Sequence, residues 1–585
     1  MRLVLIHEIP EDTNLRREWN TLASSVPQPQ VFYTYEWSLA VHRAYGTSLQ
    51  TLLVLAYDER DTLRGVVALA IDGTRNAHFL CGTTGDYCDF LSEPEHKAEF
   101  VTSVLAELRR QRIGNVTFTN LPADSETVAA LRKAARTHGY QCFARTAYFC
   151  ARIVLADLEW RPDNQPVLPR RKMVRRFLAA LGREEPVRLD HARSWADVEP
   201  ILPAFTHAHI ARFLFTDRIS NMVRPERRLF LSELAKLLGE SGWLTLTRMM
   251  SGPRTYAWNY GFQFQDTWFW YQPTFASELE KYSPGFCSLV KLVEEAARQP
   301  ELKVVDLGLG AEEYKDRFAN QTRETLYVTL KSSPLQHYRE AVRFYASDIV
   351  RKSPKLEKGV RSLVERASQI RQHIARCGIV GAVPWAARRL RELIWLRSEV
   401  FFYEFESVAR SSKCRLHPLD LGELASAATQ YCDDRETLSY LLRAASRLRA
   451  GAATGYALVD ESGTFLHFAW TVPFDGFFLS ELNAKVDAPS PECVMLFDCW
   501  TPPSVRGHGY YAETISQIAA QVCEAGRRPW IFSAGSNLAS VRGVEKAGFR
   551  RRYSLVRHRM LGWQRILGKT PVSPRVPVEE VSARV

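Results

Sequence analysis

Short apolar runs separated by glycine and proline set the rhythm of this chain. One pattern recurs three times: a strand, a loop, a helix with an apolar stripe, and a second strand. The clearest copy begins at Val494-Met495-Leu496-Phe497, the length of a buried strand, which Pro502 and Pro503 bring to an end. Arg506-Gly507-His508-Gly509-Tyr510-Tyr511 follows. Residues 512–525 then predict a helix with Ile515, Ile518, Ala519 and Val522 on one stripe. Trp530-Ile531-Phe532 supplies the next strand, and a second helix is expected near Asn537. Glycines let several backbone N–H groups converge, and a helix N-terminus adds about half a positive charge, so this arrangement suits a phosphate.

The other two copies differ in their loops. In the first, a strand at Asp89-Phe90-Leu91 leads through Ser92-Glu93-Pro94-Glu95 to a helix over 99–111 and a strand at Val116-Thr117-Phe118. Two acids at that helix start repel phosphate, so this copy is read as structural. In the second, a strand at Trp268-Phe269-Trp270-Tyr271 leads through Ser283-Pro284-Gly285 to a helix over 286–298, then to Val304-Val305-Asp306-Leu307. Ser283 is expected to cap that helix and Gly285 to bare amides for an anion. The aromatic run 268–271 either flanks a cleft for long acyl chains or packs as core. Paired strands are also expected at Leu52 to Ala56 with Gly65 to Leu69, and at Gly455 to Val459 with Phe465 to Trp470.

At 585 residues the chain is too long for one core. Hydrophobic content of 46% and charged content of 24% describe an ordinary globular protein. The net charge of +12 favours an anionic partner such as coenzyme A, nucleic acid or an acidic membrane face. Eleven scattered cysteines with no Cys-x-x-Cys pair read as thiols in a reducing compartment. No apolar run reaches the roughly 20 residues that span a bilayer, and the N-terminus reads as a strand rather than a signal peptide. The expectation is a cytoplasmic protein, or one peripheral at the inner membrane face. A basic helix over 168–183 and basic residues through 336–398 are either solvated faces or contacts to tRNA or an anionic membrane. The patch Ile379 to Trp385 is an interfacial segment or a packed hairpin, and the Pro- and Val-rich tail from Thr570 is expected to be disordered.

The loop at 506–511 resembles the coenzyme A loop of GCN5-related N-acetyltransferases (GNAT), Arg-x-x-Gly-x-Gly/Ala after the fourth strand. Arg506 and Gly509 match, and Asn537, Ser540 and Gly548-Phe549 match that family's Asn-x-x-Ser to Gly-Phe signature. Tyr511 stands where a small residue is usual, and the family's thiolate-protonating Tyr would fall at Val544. Residues 1–335 resemble the CelD- and BioF2-like acetyltransferases, relatives of the FemAB peptidoglycan transferases. The Ser-Pro-Gly loop, Asp306 with Gly308, Tyr314-Lys315 with Arg317-Phe318, the His209 to Phe213 stretch, Phe32 to Trp37 and Tyr87 to Phe90 carry that likeness. The resemblances imply an α/β protein of three GNAT-like mixed-sheet units. These are a fused FemAB-like pair (1–155 and 185–335, joined by the basic helix 156–184), a helical connector 336–398 and a GNAT unit 399–567, before the tail 568–585.

They also imply acyl transfer from acyl-coenzyme A to an amine of a small molecule, sugar or peptide. Val505, Arg506, Gly507, His508, Gly509, Tyr510, Tyr511, Asn537 and Ser540 would hold the co-substrate. Candidate catalytic groups are Asp498, His508, His209 and Asp306, each weighed against a packing or turn-forming role. Arg212, Ser283, Gly285, Tyr314, Lys315 and Arg317 form a candidate second site. No metal is expected, since His207 and His209 are two apart and point to different helix faces. Two alternatives stay open: a FemAB-like transferase using tRNA or a carrier protein in the 185–335 unit, and a non-catalytic partner in a biosynthetic assembly.

Overall fold

The computed structural model describes residues 1–310, 312–351, 395–406, 414–560 and 563–568. The patch at 379–385 and the tail from 570 lie outside these. Two compact units emerge, Met1–Arg212 with Asn221–Ile349, and Phe213–Ser220 with Val350–Val585. Both are α/β, as expected. Among the described residues no helix is long and apolar enough to cross a membrane.

In the first unit a sheet of thirteen described strands runs through both expected halves. Its centre explains why they are one body. The strand Gln141–Val154 pairs along its length with Gln321–Lys331, and its last residues also pair with Val304–Asp306. Gln321–Lys331, late in the chain, therefore lies between Asn115–Pro122 and Gln141–Val154, inside the sheet of the first half. The aromatic core makes the same join. Trp37 is fully buried, donates Nε1–H to Thr84 Oγ1 at 3.1 Å, and meets the edges of Phe32, Phe230, Phe262 and Tyr271.

The second unit has a sheet of eight described strands. Trp395–Phe405 opens it in sequence yet lies between Arg528–Ala534 and Phe549–Met560, so the strand begins within the expected helical connector. All three strand–helix–strand copies are present, and their strand pairs are the parallel pairs among the described strands: Asn76–Phe79 with Asn115–Pro122, Thr267–Phe275 with Val304–Asp306, and Cys493–Trp500 with Arg528–Ala534. In the first copy the leading strand is Asn76–Phe79, not the run at 89–91. There only Leu91–Ser92 is extended, pairing with Leu63–Ile71.

The inserted strand should hold the two halves to a single unfolding event. Leu330 is fully buried, opposite Val116 on one side and Cys142 on the other. Leu330→Ala is expected to cost about 2–5 kcal/mol and to shift one cooperative transition of the first unit in chemical denaturation. Separate transitions for residues 1–155 and 185–335 would show that the halves fold independently.

Candidate active site

In the second unit two parallel strands part company. Cys493–Trp500 and Arg528–Ala534 pair from Cys493↔Arg528 to Leu496↔Ile531, and pairing stops there although both strands continue. The other edge shows the cause. Trp470 pairs with Phe497 and Phe468 with Trp500, so Asp498 and Cys499 share the space opposite Ala469. This is a β-bulge, which bends and twists its strand. Asp498 sits at φ 45, a left-handed conformation that costs a residue with a side chain about 1–3 kcal/mol.

Three side chains hold it there. Arg447 pairs with the Asp498 carboxylate at 2.7 Å, Tyr440 Oη donates to the Asp498 carbonyl at 3.1 Å, and Trp470 Nε1 donates to Tyr440 Oη at 2.9 Å. The Arg447 guanidinium lies 4.8 Å from the Trp470 ring and 5.0 Å from that of Phe497. Where the strands separate, a cleft of about 1150 Å³ opens.

The glycine loop forms one end of this cleft. Gly507 and Gly509 take φ 90 and φ 87, and Gly509 is the N-cap of the helix Tyr510–Glu524. That helix carries no side-chain cap, so its first N–H groups are open to a ligand. Arg506 fastens the loop to the strand end, donating Nε–H to the Thr501 carbonyl at 3.0 Å with its guanidinium 5.1 Å from the Trp500 ring. A Cβ placed on Gly507 would meet no atom within 4 Å, so the loop faces open space. Lys546 Nζ stands 3.7 Å from the equivalent position on Gly509, and exposed Arg542, one helical turn away, lines the same wall. This end of the cleft thus collects backbone donors and cations without a bulky plug.

The expected loop residues are not equivalent. Val505, Arg506, Gly507, Gly509, Tyr510 and Tyr511 line the cleft with Asn537 and Ser540. His508 instead turns Nδ1 to the Val505 carbonyl at 3.2 Å, stacks on Tyr510 and is exposed. The Asn537 side chain accepts the Ser540 N–H at 3.1 Å, so the Asn-x-x-Ser signature caps the helix Leu538–Lys546. Ser540 Oγ is 3.0 Å from Tyr511 Oη, and the Tyr511 ring occupies the space that a Cβ on Gly543 would need, 2.5 Å from that position. Burial pushes the Tyr511 phenol well above its usual pKa. Val544 is buried beneath the helix.

His467 escaped the sequence analysis because it lies in an apolar strand. It lines the cleft, its Nδ1 is 2.7 Å from Thr501 Oγ1, and its Nε2 has no partner among the described residues. Burial pulls its pKa down to about 3, so the ring is neutral at pH 7. A polar residue among Phe465, Leu466, Phe468 and Trp470 was the only available signal.

In the first unit the candidate residues are largely committed to neighbours within the fold. Asp306 is buried, accepting from Tyr87 Oη at 2.9 Å and the Gly308 N–H at 2.8 Å, with Arg152 at 3.5 Å. Lys315 is buried, donating to the Leu309 carbonyl at 2.6 Å and pairing with Glu312 at 2.9 Å. Arg317 pairs with Glu313, and Tyr314 packs against the core. Arg212 donates to the Pro273 carbonyl at 2.9 Å and lies over Phe275. His209 is buried beside Phe205 on the helix Leu202–Phe215. Asp86, missed in the sequence, is pushed up to about 7 by burial, with Lys315 opposing the rise and Asp306 adding to it.

The expected Ser283 cap is not made. Ser283 takes φ 45 at the N-cap position with no side-chain bond to the helix. Pro284 supplies no N–H to the first turn, and a Cβ on Gly285 would come 3.2 Å from the Phe275 ring. Trp268, Phe269, Trp270 and Tyr271 are buried, which decides for packing over a cleft there. Of the basic helix, Arg171–Leu181, Lys172, Arg175 and Arg176 are exposed while Val174 faces the core.

Residues 169–316 match the family model described as Acetyltransferase (GNAT) domain. No curated protein matches the sequence. Similar solved structures include FemX, at 9% identity over 56% of this chain and 97% of that one, TM-score 0.39. The C-terminal domain of a putative lysylphosphatidylglycerol synthetase from Agrobacterium fabrum follows at 10%, 58% and 96%, TM-score 0.37. A tandem GNAT protein from the clavulanic acid biosynthesis pathway shows 14%, 57% and 99%, TM-score 0.35.

The fit of Tyr511 into the space left by Gly543 gives a test of the site's packing. Gly543→Ala should cost about 1–3 kcal/mol in chemical denaturation, because the ring cannot stay where it is. With Tyr511→Ala present, the same change should become neutral or stabilise by up to about 1 kcal/mol, the helix propensity of alanine over glycine. Equal costs in both backgrounds would place the ring elsewhere.

Proposed function

We propose that this chain, which carries a GNAT acetyltransferase domain over residues 169–316, is an acyltransferase whose C-terminal unit moves an acyl group from acyl-coenzyme A to an amine. The observation that supports this most is the cleft at the strand parting, ended by a glycine loop with open helix N–H groups and the cations Arg542 and Lys546. The loop amides and these cations would hold the diphosphate. The thioester would then reach the gap between the strands.

There the chain's work is positioning and charge stabilisation. The peptide plane fixes the Cys499 N–H opposite the Asp498 carbonyl. With that carbonyl turned to Tyr440, the N–H faces the other way, and we assign it to the thioester oxygen. The amine nitrogen forms its bond to the carbonyl carbon, the carbon–sulfur bond breaks, and the proton lost by the amine is returned to the sulfur through cleft water. Asp498 serves by holding the bulge through Arg447. The acceptor is a small-molecule, sugar or peptide amine.

A second reading, with transfer from tRNA or a carrier protein in the first unit, draws support from the family match at 169–316 and the exposed Lys172, Arg175 and Arg176. RNA-dependent turnover that weakens steeply with salt would favour it.

Replacing Arg506 by Ala together with Gly509 by Val should weaken coenzyme A binding by about a hundredfold, since the bond that fastens the loop to the Thr501 carbonyl and the left-handed turn that aims its donors are lost together. Calorimetric titration of the full chain measures this directly. Unchanged affinity in the double variant would remove the loop from the site.

A further inference from the structure

We propose that the C-terminal cleft selects donors with an acyl chain several carbons longer than acetyl, and that Phe477, Phe497 and Phe532 form the wall along which the chain lies. This deepens the acyl-coenzyme A reading and rests on it.

The placement of these rings carries the inference. Leu496 and Ile531, the last paired residues, belong to the cluster beneath the helices Tyr510–Glu524 and Leu538–Lys546. Phe497 and Phe532 come next on their strands and pack against the cluster on the opposite face, with Met495 and Trp530. They therefore flank the gap on the side away from the glycine loop's helix. The hairpin strand Phe477–Leu479 lays Phe477 across both, with ring centroids 5.3 Å from Phe497 and 5.9 Å from Phe532. A group passing from the loop side through the parting would emerge against these three rings.

Their burial separates them from ordinary core. Phe402 and Phe468 in the same sheet are fully buried. Phe477, Phe497 and Phe532 are each half-buried and line the cleft, and the adjoining Phe478 is 56% exposed. Apolar surface kept open inside a cleft is the feature of a site that binds apolar matter. Each methylene buried there should tighten binding by about fourfold.

The test is calorimetric titration of the full chain with coenzyme A and then with acetyl-, butyryl-, hexanoyl- and octanoyl-coenzyme A. The expected result is binding of coenzyme A itself and affinity that climbs at least tenfold from acetyl to hexanoyl. Phe477→Ala should flatten that climb and leave coenzyme A binding unchanged. Should this variant fail to fold, the wild-type series still decides. If coenzyme A binds but affinity is flat from acetyl to octanoyl, the acyl wall is overturned while the donor reading stands, and the rings belong to an apolar acceptor. If coenzyme A does not bind at all, the donor reading falls and takes the acyl wall with it.

Discussion

A residue bearing a side chain does not rest at φ 45 inside a strand unless its neighbours keep it there. Asp498 does so because Arg447 grips its carboxylate, Tyr440 holds its carbonyl and Trp470 holds Tyr440. The strain, about 1–3 kcal/mol, is offset by bonds formed in half-buried surroundings, where an ion pair backed by aromatic rings is less screened than at the surface. Without the bulge, Cys493–Trp500 would continue alongside Arg528–Ala534 and the gap between them would close. The cleft, the exposed faces of Phe497 and Phe532 and the approach to the glycine loop all follow from that one bent residue.

The three strand–helix–strand copies show how similar frames diverge. In the first, Pro94 begins the helix after Glu93, and acids occupy its start. In the second, Pro284 and Phe275 crowd the corresponding turn, while Asp306 and Lys315 are tied into the protein's own polar core. The third has two left-handed glycines, an uncapped helix and cations on the facing helix. The GNAT family match falls on the second copy, whereas the open loop lies in the third. The two observations are compatible, because the strand pairing and helix packing that a family pattern captures do not depend on an empty turn.

What the sequence made legible was local. Period and punctuation marked the helices and strands, and the glycines at 507 and 509 announced a turn because positive φ is a demand on the residue itself. Partners distant in sequence were not legible. Nothing in residues 321–331 says that they slot between strands some two hundred positions earlier, and Asn76–Phe79, the parallel partner of Asn115–Pro122, carries Asn76 and His78 and so gives no apolar run to mark it, unlike Phe90-Leu91 beside it. The same limit governs the site. Arg447 meets Asp498, Tyr511 meets Ser540 in the space left by Gly543, and His467 meets Thr501, all across loops and helices that carry no pairing signal. Asp498 was legible as a residue of interest, but its ion pair, and hence its part in shaping the strand, was not.

Hydrogen–deuterium exchange of the full chain with and without coenzyme A decides whether the glycine loop holds the ligand, because it reports on backbone amides and locates them. Slowed exchange is expected at the amides of residues 506–512 and at the diverging ends of Cys493–Trp500 and Arg528–Ala534, with the turn at 283–287 unaffected. Protection confined to 283–318, or none in either unit, would contradict that placement.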